Sequence, residues 1–421
     1  MKILIVNYSD LSGGAARASY RLFSSLNKLG IDSEMLVAKK ISDSPLVKTF
    51  PIKINYFRLL IVNYFNLQKI KKYRKRDQVI FSPSLISSKT AVKLINKSDA
   101  DIVHLHWINN GMLSISDIKK IKKPVVWSLH DMWAFTGGCH YDQFCGKYED
   151  NCHNCPILKS NKNKDLAYKV HLKKTKIYQK HNNITVVGLS KWLADSARKS
   201  SIFRGFNIVQ LPNPIDTSIF SPVDKVEARK ILNLPIEEKI ILFGAMSATS
   251  DERKGYKQLI NAIMNLDMNG KKLVVFGSSR PIAPDSLTET AIYLGRVNDD
   301  INLKLIYSAA DVMVVPSIQE NLSNAIMESL SCGTPVVAFN IGGNSDMIIH
   351  KRTGYLATPY DSYDLSAGIS WVLNNNRINL SINSRKVVMD NFNDSLIGKK
   401  YKNLYEHILD SNVTEKDNFR I

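Results

Sequence analysis

The run from Asp311 to Phe339 constrains this chain more than any other stretch. Val312–Val315 has the length and β-branched content of a strand buried on both faces. Pro316 stops it, and a polar loop carries Glu320 to a capping residue, Ser323 or Asn324. A helix is expected from there to about Cys332, closed by Gly333 with Pro335 just beyond. Pro335–Phe339 reads as the next buried strand, so the spacing predicts a strand–loop–helix–strand unit of a parallel α/β sheet. Glu320 then lies in the loop at a strand's carboxyl end, and Glu328 sits about a turn inside the helix. The amides of Asn321, Leu322 and Ser323 precede that helix, where unpaired N–H groups favour anions. Two carboxylates beside an anion-binding helix end suit a ligand with both phosphates and hydroxyls, and a nucleotide sugar is such a ligand.

At 421 residues the chain is too long for one ordinary core, so two α/β domains are expected. A hydrophobic content of 44% with 23% charged residues is that of a soluble globular protein. Met1–Val6 reads as a first strand and not a signal peptide. No run supplies the roughly 20 uninterrupted apolar residues of a membrane span, so a cytoplasmic location is expected. The formal charge of +19 is uneven. Residues 1–210 hold 35 Lys and Arg against 14 Asp and Glu, leaving 22 of the 57 basic and 24 of the 38 acidic residues for the rest. Only the first half is thereby suited to a polyanion or an anionic surface.

Along the first half, the loop Ser9–Ala16 carries Gly13 and Gly14 into a helix expected over 15–29, with Gly30 as its stop. A strand, a glycine pair and a helix start let the backbone approach a phosphate, although a tight turn uses the same residues. Residues 51–67 are aromatic and aliphatic, and six Lys or Arg follow within Gln68–Arg76. That pattern fits a helix lying in a lipid interface or a core-packing helix with a solvated basic end. His104 and His106 fall on one face of a strand, as cleft-edge or core residues. His130 and Asp131 fall at the carboxyl end of another strand, where open α/β sheets bind ligands. Cys139, Cys145, Cys152 and Cys155 cluster within 17 residues. In a reducing compartment this favours a structural zinc, with free thiols or a redox pair as alternatives. Arg253 and Lys254 precede Gly255 at a helix start after the strand near 239–244.

Glu320, seven residues, Glu328, then small residues and Gly333-Thr-Pro-Val resembles the signature of family 4 of the glycosyltransferase classification. Ser329, Ser331 and Asp346 stand where that family usually shows alanines and a later Glu. The resemblance runs in order from Gly13-Gly14 through His130 and Arg253-Lys254 to Glu328. It implies a GT-B fold: two doubly wound Rossmann-like α/β domains facing each other across a cleft. Domains are expected at 1–215 and 216–395, crossing at Pro212-Asn-Pro-Ile-Asp, with a terminal helix over 396–410 returning to the first and a frayed end over 411–421. The implied activity is retaining and metal-independent. Its donor is a UDP- or GDP-sugar and its acceptor a hydroxyl.

In that family the first Glu (Glu320) lies beside the donor sugar and the second (Glu328) holds the ribose. The amides of Asn321, Leu322 and Ser323 hold the distal phosphate, Arg253 and Lys254 the diphosphate, and His130 the sugar. Gly13 and Gly14 lie near the pyrophosphate, and Val297 near the base. Trp133–Tyr141 resembles a polysaccharide-biosynthesis branch, which with the basic first half implies a polyprenyl-diphosphate-linked glycan at the inner face of a bacterial membrane, as in O-antigen or lipopolysaccharide assembly. No catalytic cofactor is implied. Nucleotide-sugar epimerases of GT-B fold share the architecture without needing an acceptor. A nucleic-acid partner finds no helix-turn-helix, standard zinc finger or aromatic-basic signature, and none is expected.

Overall fold

The computed structural model describes residues 1–50, 52–181, 183–244, 251–277, 291–297 and 299–418. Residues 245–250, between the strand expected near 239–244 and Arg253, lie outside them, as do 419–421 at the expected frayed end. The chain divides into two compact units: Met1–Asn213 with the chain from Ile397 onward, and Pro214–Leu396.

Unit 1 is built on seven strands, β1 (Lys2–Ser9), β2 (Asp32–Lys39), β3 (Val47–Thr49), β4 (Ile102–Leu105), β5 (Val125–Leu129), β6 (Ile184–Gly188) and β7 (Asn207–Gln210). Its main helices are α1 (Gly14–Lys28), α2 (Ile52–Lys71), α3 (Lys89–Lys97), α4 (Ile115–Ile118), α5 (Leu166–Tyr178) and α6 (Lys191–Lys199). All the strands pair in parallel in the order β3-β2-β1-β4-β5-β6-β7. Every residue of β4, β5 and β6 is buried, as expected when crossovers cover both faces of a parallel sheet. Strand order reverses between β1 and β4, which pair from Ile3↔Ile102 to Val6↔Leu105. The chain therefore leaves these neighbours in opposite directions and opens a crevice at their carboxyl ends.

Unit 2 repeats the plan with β8 (Lys239–Gly244), β9 (Lys271–Phe276), β10 (Ile292–Tyr293), β11 (Val312–Val315), β12 (Val336–Phe339) and β13 (Gly354–Ala357). Its described helices are α7 (Lys225–Ile231), α8 (Tyr256–Met264), α9 (Asp300–Ala309), α10 (Asn324–Ser331), α11 (Asn344–Met347), α12 (Ser362–Asn374) and α13 (Arg377–Asn391). The parallel order β10-β9-β8-β11-β12-β13 reverses between β8 and β11. Ser323 stands at the N-cap position of α10 without a side-chain capping bond, Cys332 ends the helix, and Gly333 follows with φ 78°, a conformation glycine adopts without steric cost.

The last helix, α14 (Asp394–Asn418), runs past the expected end at 410 and through most of the stretch expected to fray. Propagating an established helix costs far less than nucleating one. Within unit 1, Gly398 lies so close to α1 that a Cβ there would meet Ser25 Oγ at 2.2 Å. Tyr401 and Tyr405 are fully buried, and the Tyr405 hydroxyl pairs with His104 Nδ1 at 2.7 Å.

A buried ion pair ties α7 to the start of β11. Arg229, 1% exposed, donates to the carbonyls of Ala309, Ile236 and Glu238 and to Asp311 Oδ2 at 2.7 Å. Burial alone would raise the Asp311 carboxyl, but hydrogen bonds from Lys225 and the Ile240 amide, with the charges of Lys225 and Arg229, hold it below the usual range. Arg229→Ala leaves that carboxylate and three carbonyls short of a partner and should cost unit 2 about 3–5 kcal/mol, read by urea unfolding. Because the Asp311 carboxyl is depressed, its stabilisation is present above the ordinary carboxylate range and lost on acidification below it.

Candidate functional site

In unit 2 the loops leaving β8 and β11, the two strands at the order reversal, are stitched together. Asp251 caps a short 3-10 turn over Glu252–Lys254 by accepting from the Arg253 amide at 3.1 Å. Gly255 follows at φ 73°, and a Cβ there would stand 1.8 Å from the Pro316 carbonyl oxygen, so only glycine lets the loops meet. The Ile318 amide donates to the Arg253 carbonyl at 2.8 Å, and the Arg253 guanidinium donates to the Gln319 carbonyl at 3.0 Å. On the other side, Gly342 lies against the Glu320 carbonyl, where a Cβ would again stand 1.8 Å away.

This grip delivers Glu320 to the basic couple. Lys254 Nζ donates to Glu320 Oε2 at 2.7 Å, the Arg253 guanidinium lies 3.6 Å from the same oxygen, and Ser317 Oγ is 3.4 Å away. Glu320 is only 7% exposed. Burial would raise its carboxyl, but the charges of Lys254 and Arg253 and bonds from Lys254 and the Asn321 amide pull it down to about 2. Asn321, Leu322 and Ser323 are buried immediately ahead of α10, whose first amides have no carbonyl partners within the helix. Cations, a fixed carboxylate and a helix start therefore lie along one short stretch, an arrangement suited to a polyanionic ligand with a polar body.

Glu328 is held separately. Its Oε2 accepts from the Tyr307 hydroxyl at 2.8 Å, and Tyr307 packs edge-on against Phe276. Val297 is half-buried in the segment past β10.

Unit 1 presents its own polar set at the carboxyl ends of its strands. Gly13, at φ 105°, precedes α1, which begins at Gly14. The buried Asp10 carboxylate ahead of them accepts from the amides of Leu11, Ile41 and Ser42 and so ties this loop to the one after β2. His130 follows β5, and its Nε2 pairs with His106 Nδ1 at 2.8 Å. Burial pushes His130 down to about 4 against the pull of Asp131, and pushes His104 down to about 3, so both rings are neutral near pH 7. Among the described residues His106 Nε2 is buried without a partner. A stranded lone pair costs less than a stranded N–H, so the His106 proton belongs on Nδ1, where it is donated to His130 Nε2. His130 then keeps its own proton on Nδ1 and is a neutral donor suited to a hydroxyl oxygen. Asp131 accepts from Trp107 Nε1 at 3.0 Å and the Trp133 amide at 2.8 Å, and pairs with His140 at 2.6 Å.

Cys139, Cys145, Cys152 and Cys155 are all free thiols, and Cys139, Cys152 and Cys155 are part of the unit 1 core. Burial raises all four. Among the described residues no three or more His, Cys, Asp or Glu side chains are grouped to hold a metal ion. The neighbouring loop is held by Lys174, whose ammonium donates to the carbonyls of Trp133 and Thr136, lies 3.9 Å over the Trp133 ring, and is pushed down to about 7 by burial.

Residues 224–387 match the family of glycosyl transferases group 1. That stretch lies within unit 2. An uncharacterized glycosyltransferase of Methanocaldococcus jannaschii is 26% identical over 337 residues, 72% of this chain and 82% of that one. The D-inositol 3-phosphate glycosyltransferase of Segniliparus rotundus is 31% identical over 159 residues, so that the match spans about a third of either protein, 35% of this chain and 34% of that one. Among solved structures, sucrose-phosphate synthase from Thermosynechococcus elongatus superposes with a TM-score of 0.69 at 20% identity, covering 98% of this chain and all of that one. HepE of Anabaena, solved with UDP and glucose, gives 0.63 at 15% identity over 96% and 99%. Two parallel-sheet, Rossmann-like units are the GT-B architecture of these glycosyltransferases.

Within the matched stretch, Tyr307 is a residue that the sequence does not single out. Its only signal is a phenol on the buried face of α9, and no local pattern says that the hydroxyl meets Glu328. No local pattern marks Asp10 either, whose partners Ile41 and Ser42 are distant in sequence. The depressed Glu320 carboxyl makes a pH prediction. Its stabilisation is complete above the ordinary glutamate range near 4.5 and is lost as pH falls toward about 2. The difference in melting temperature between wild type and Glu320→Gln should shrink across that window, and a constant difference would contradict the pairing.

Proposed function

We propose that the chain transfers a sugar from a UDP- or GDP-sugar to an acceptor hydroxyl with retention of anomeric configuration. The observation that carries this reading is the contact of Lys254 and Arg253 with the buried Glu320 at the strand-order reversal of unit 2. In the proposed complex, Arg253 and Lys254 move their donors to the diphosphate, and the amides of Asn321, Leu322 and Ser323 hold its distal phosphate. Glu328, oriented by Tyr307, accepts from the ribose hydroxyls. Val297 lies by the base through its backbone, and the Gly13-Gly14 turn lets the main chain approach the pyrophosphate.

Glu320 lies beside the anomeric carbon, where its charge favours the positive charge that develops as the bond to the leaving phosphate oxygen breaks. The acceptor oxygen attacks from the face the diphosphate leaves, and its proton passes to the departing phosphate oxygen. His130 donates to a sugar hydroxyl. A UDP-sugar is supported by the UDP and glucose in the HepE structure. The excess of basic residues over 1–210 supports a lipid-linked glycan acceptor at an anionic membrane.

Thermal stabilisation by a panel of UDP- and GDP-hexoses tests the donor. Glu328→Ala should weaken the stabilising donor by roughly ten- to a hundredfold, the equivalent of about 1.5–3 kcal/mol. Glu320→Gln should instead lower kcat, by about a hundredfold or more, with little loss of donor affinity. The opposite pattern, or a product formed from the donor with no acceptor present, would overturn the reading.

A further inference from the structure

We propose that α2 docks unit 1 onto an anionic lipid surface. The purpose of such docking rests on the membrane-linked acceptor proposed above, but the surface itself is argued from the helix alone.

One side of α2 belongs to the protein. Val62 and Ile70 are buried at 3% and 5% exposure. Leu59 and Val62 pack so closely on Gly111 that a Cβ there would meet them at 3.1 and 3.2 Å. The Arg58 guanidinium is drawn inward to the Gly111 carbonyl, so this charge does not interrupt the outer side.

That outer side is apolar too. Phe57 is 67% exposed, Tyr64 58% and Ile61 55%, and Leu60, Phe65 and Leu67 are at least half exposed. Phe57, Leu60, Ile61 and Tyr64 are spaced by three, four and seven residues and so share one helix face. An ordinary surface helix turns a polar stripe to water, and a contiguous exposed apolar face marks an interaction site. Past this face the chain becomes basic, with Lys69, Lys71, Lys72, Arg74, Lys75 and Arg76, and no acidic residue stands between Asp43 and Asp77.

An apolar face running into a cationic end matches a lipid interface, where side chains such as Phe57 and Ile61 enter the acyl boundary, Tyr64 sits at headgroup level and the lysines meet phosphates. A nucleic acid would draw on the basic end and leave six large apolar side chains without a role. Spanning is not implied, since among the described residues no helix is long and apolar enough to cross a membrane.

The test is co-sedimentation of the full-length protein with phosphatidylcholine vesicles, with and without phosphatidylglycerol. Wild type should bind the anionic vesicles, release at high salt, and bind pure phosphatidylcholine weakly. The combined Phe57→Ser, Ile61→Ser, Tyr64→Ser variant, and separately Lys71→Glu with Lys72→Glu, should each lower the partition by about tenfold or more. These positions are exposed, so melting temperature and any donor-induced stabilisation should not change.

Wild type remaining in the supernatant at low salt would overturn the proposal, as would binding undiminished in the triple variant. A dimer in solution that the triple variant dissociates, with no vesicle binding, would assign the face to a second copy and also overturn it. Vesicle binding without any response to nucleotide sugars would sink the transferase reading and leave this one standing. Donor response without vesicle binding would do the reverse.

Discussion

A carboxylate that has lost nearly all of its water stays ionised only if cations stand against it, and Glu320 has two. Removing the Lys254 ammonium or the Arg253 guanidinium would let the desolvation of Glu320 push its carboxyl back up. The pair therefore fixes the protonation state of the one side chain proposed to face developing positive charge. It also stores the two cations beside the helix start that a diphosphate would use. On the proposed reading Glu320 is a placeholder for the diphosphate: it keeps both cations ordered before any phosphate arrives, which would lower the ordering cost of binding.

The backbone makes this pairing possible. Gly255 and Gly342 clasp the loop after β11 from two sides, each lying against a carbonyl of that loop at a distance no side chain would permit. The parallel sheet does the rest, because reversal of strand order between β8 and β11 sends the two following loops past each other at one edge. Unit 1 uses the same topology to opposite electrostatic effect. Its histidines sit toward the carboxyl ends of β4 and β5, where burial keeps His104 and His130 neutral; His106 pairs with His130, while His104 bonds Ser128 and Tyr405. Unit 2 thus holds full charges at its strand-order reversal, and unit 1 holds neutral rings at its own.

The strands and the helix start at Ser323 were legible in the sequence because each is set by local chemistry. Val312–Val315 and Val336–Phe339 are too short, too β-branched and too firmly bounded by proline and glycine to be anything but buried strands. Tyr307 on Glu328, Arg229 on Asp311 and Asp10 across to Ile41 were not legible, since each joins residues 21 to 82 positions apart through packing that no local pattern encodes. The stretch 51–76 shows the limit from another side. Its composition fitted a lipid-facing helix and a core-packing helix equally well, and the structure shows why: Val62 and Ile70 face the core while Phe57 and Tyr64 face outward. The final helix runs past its expected end at 410 because an established helix propagates without needing an apolar stripe.

The central claim is that Lys254 and Arg253, held in reserve by Glu320, are the cations that bind the donor's diphosphate. Isothermal titration of the free nucleoside diphosphate, UDP or GDP, into wild type, Lys254→Met and Glu320→Gln tests it most directly. Losing the lysine should weaken binding by about tenfold or more, while neutralising the glutamate should leave binding intact or tighten it by releasing both cations. Undiminished affinity in Lys254→Met, with a loss in Glu320→Gln, would contradict the account.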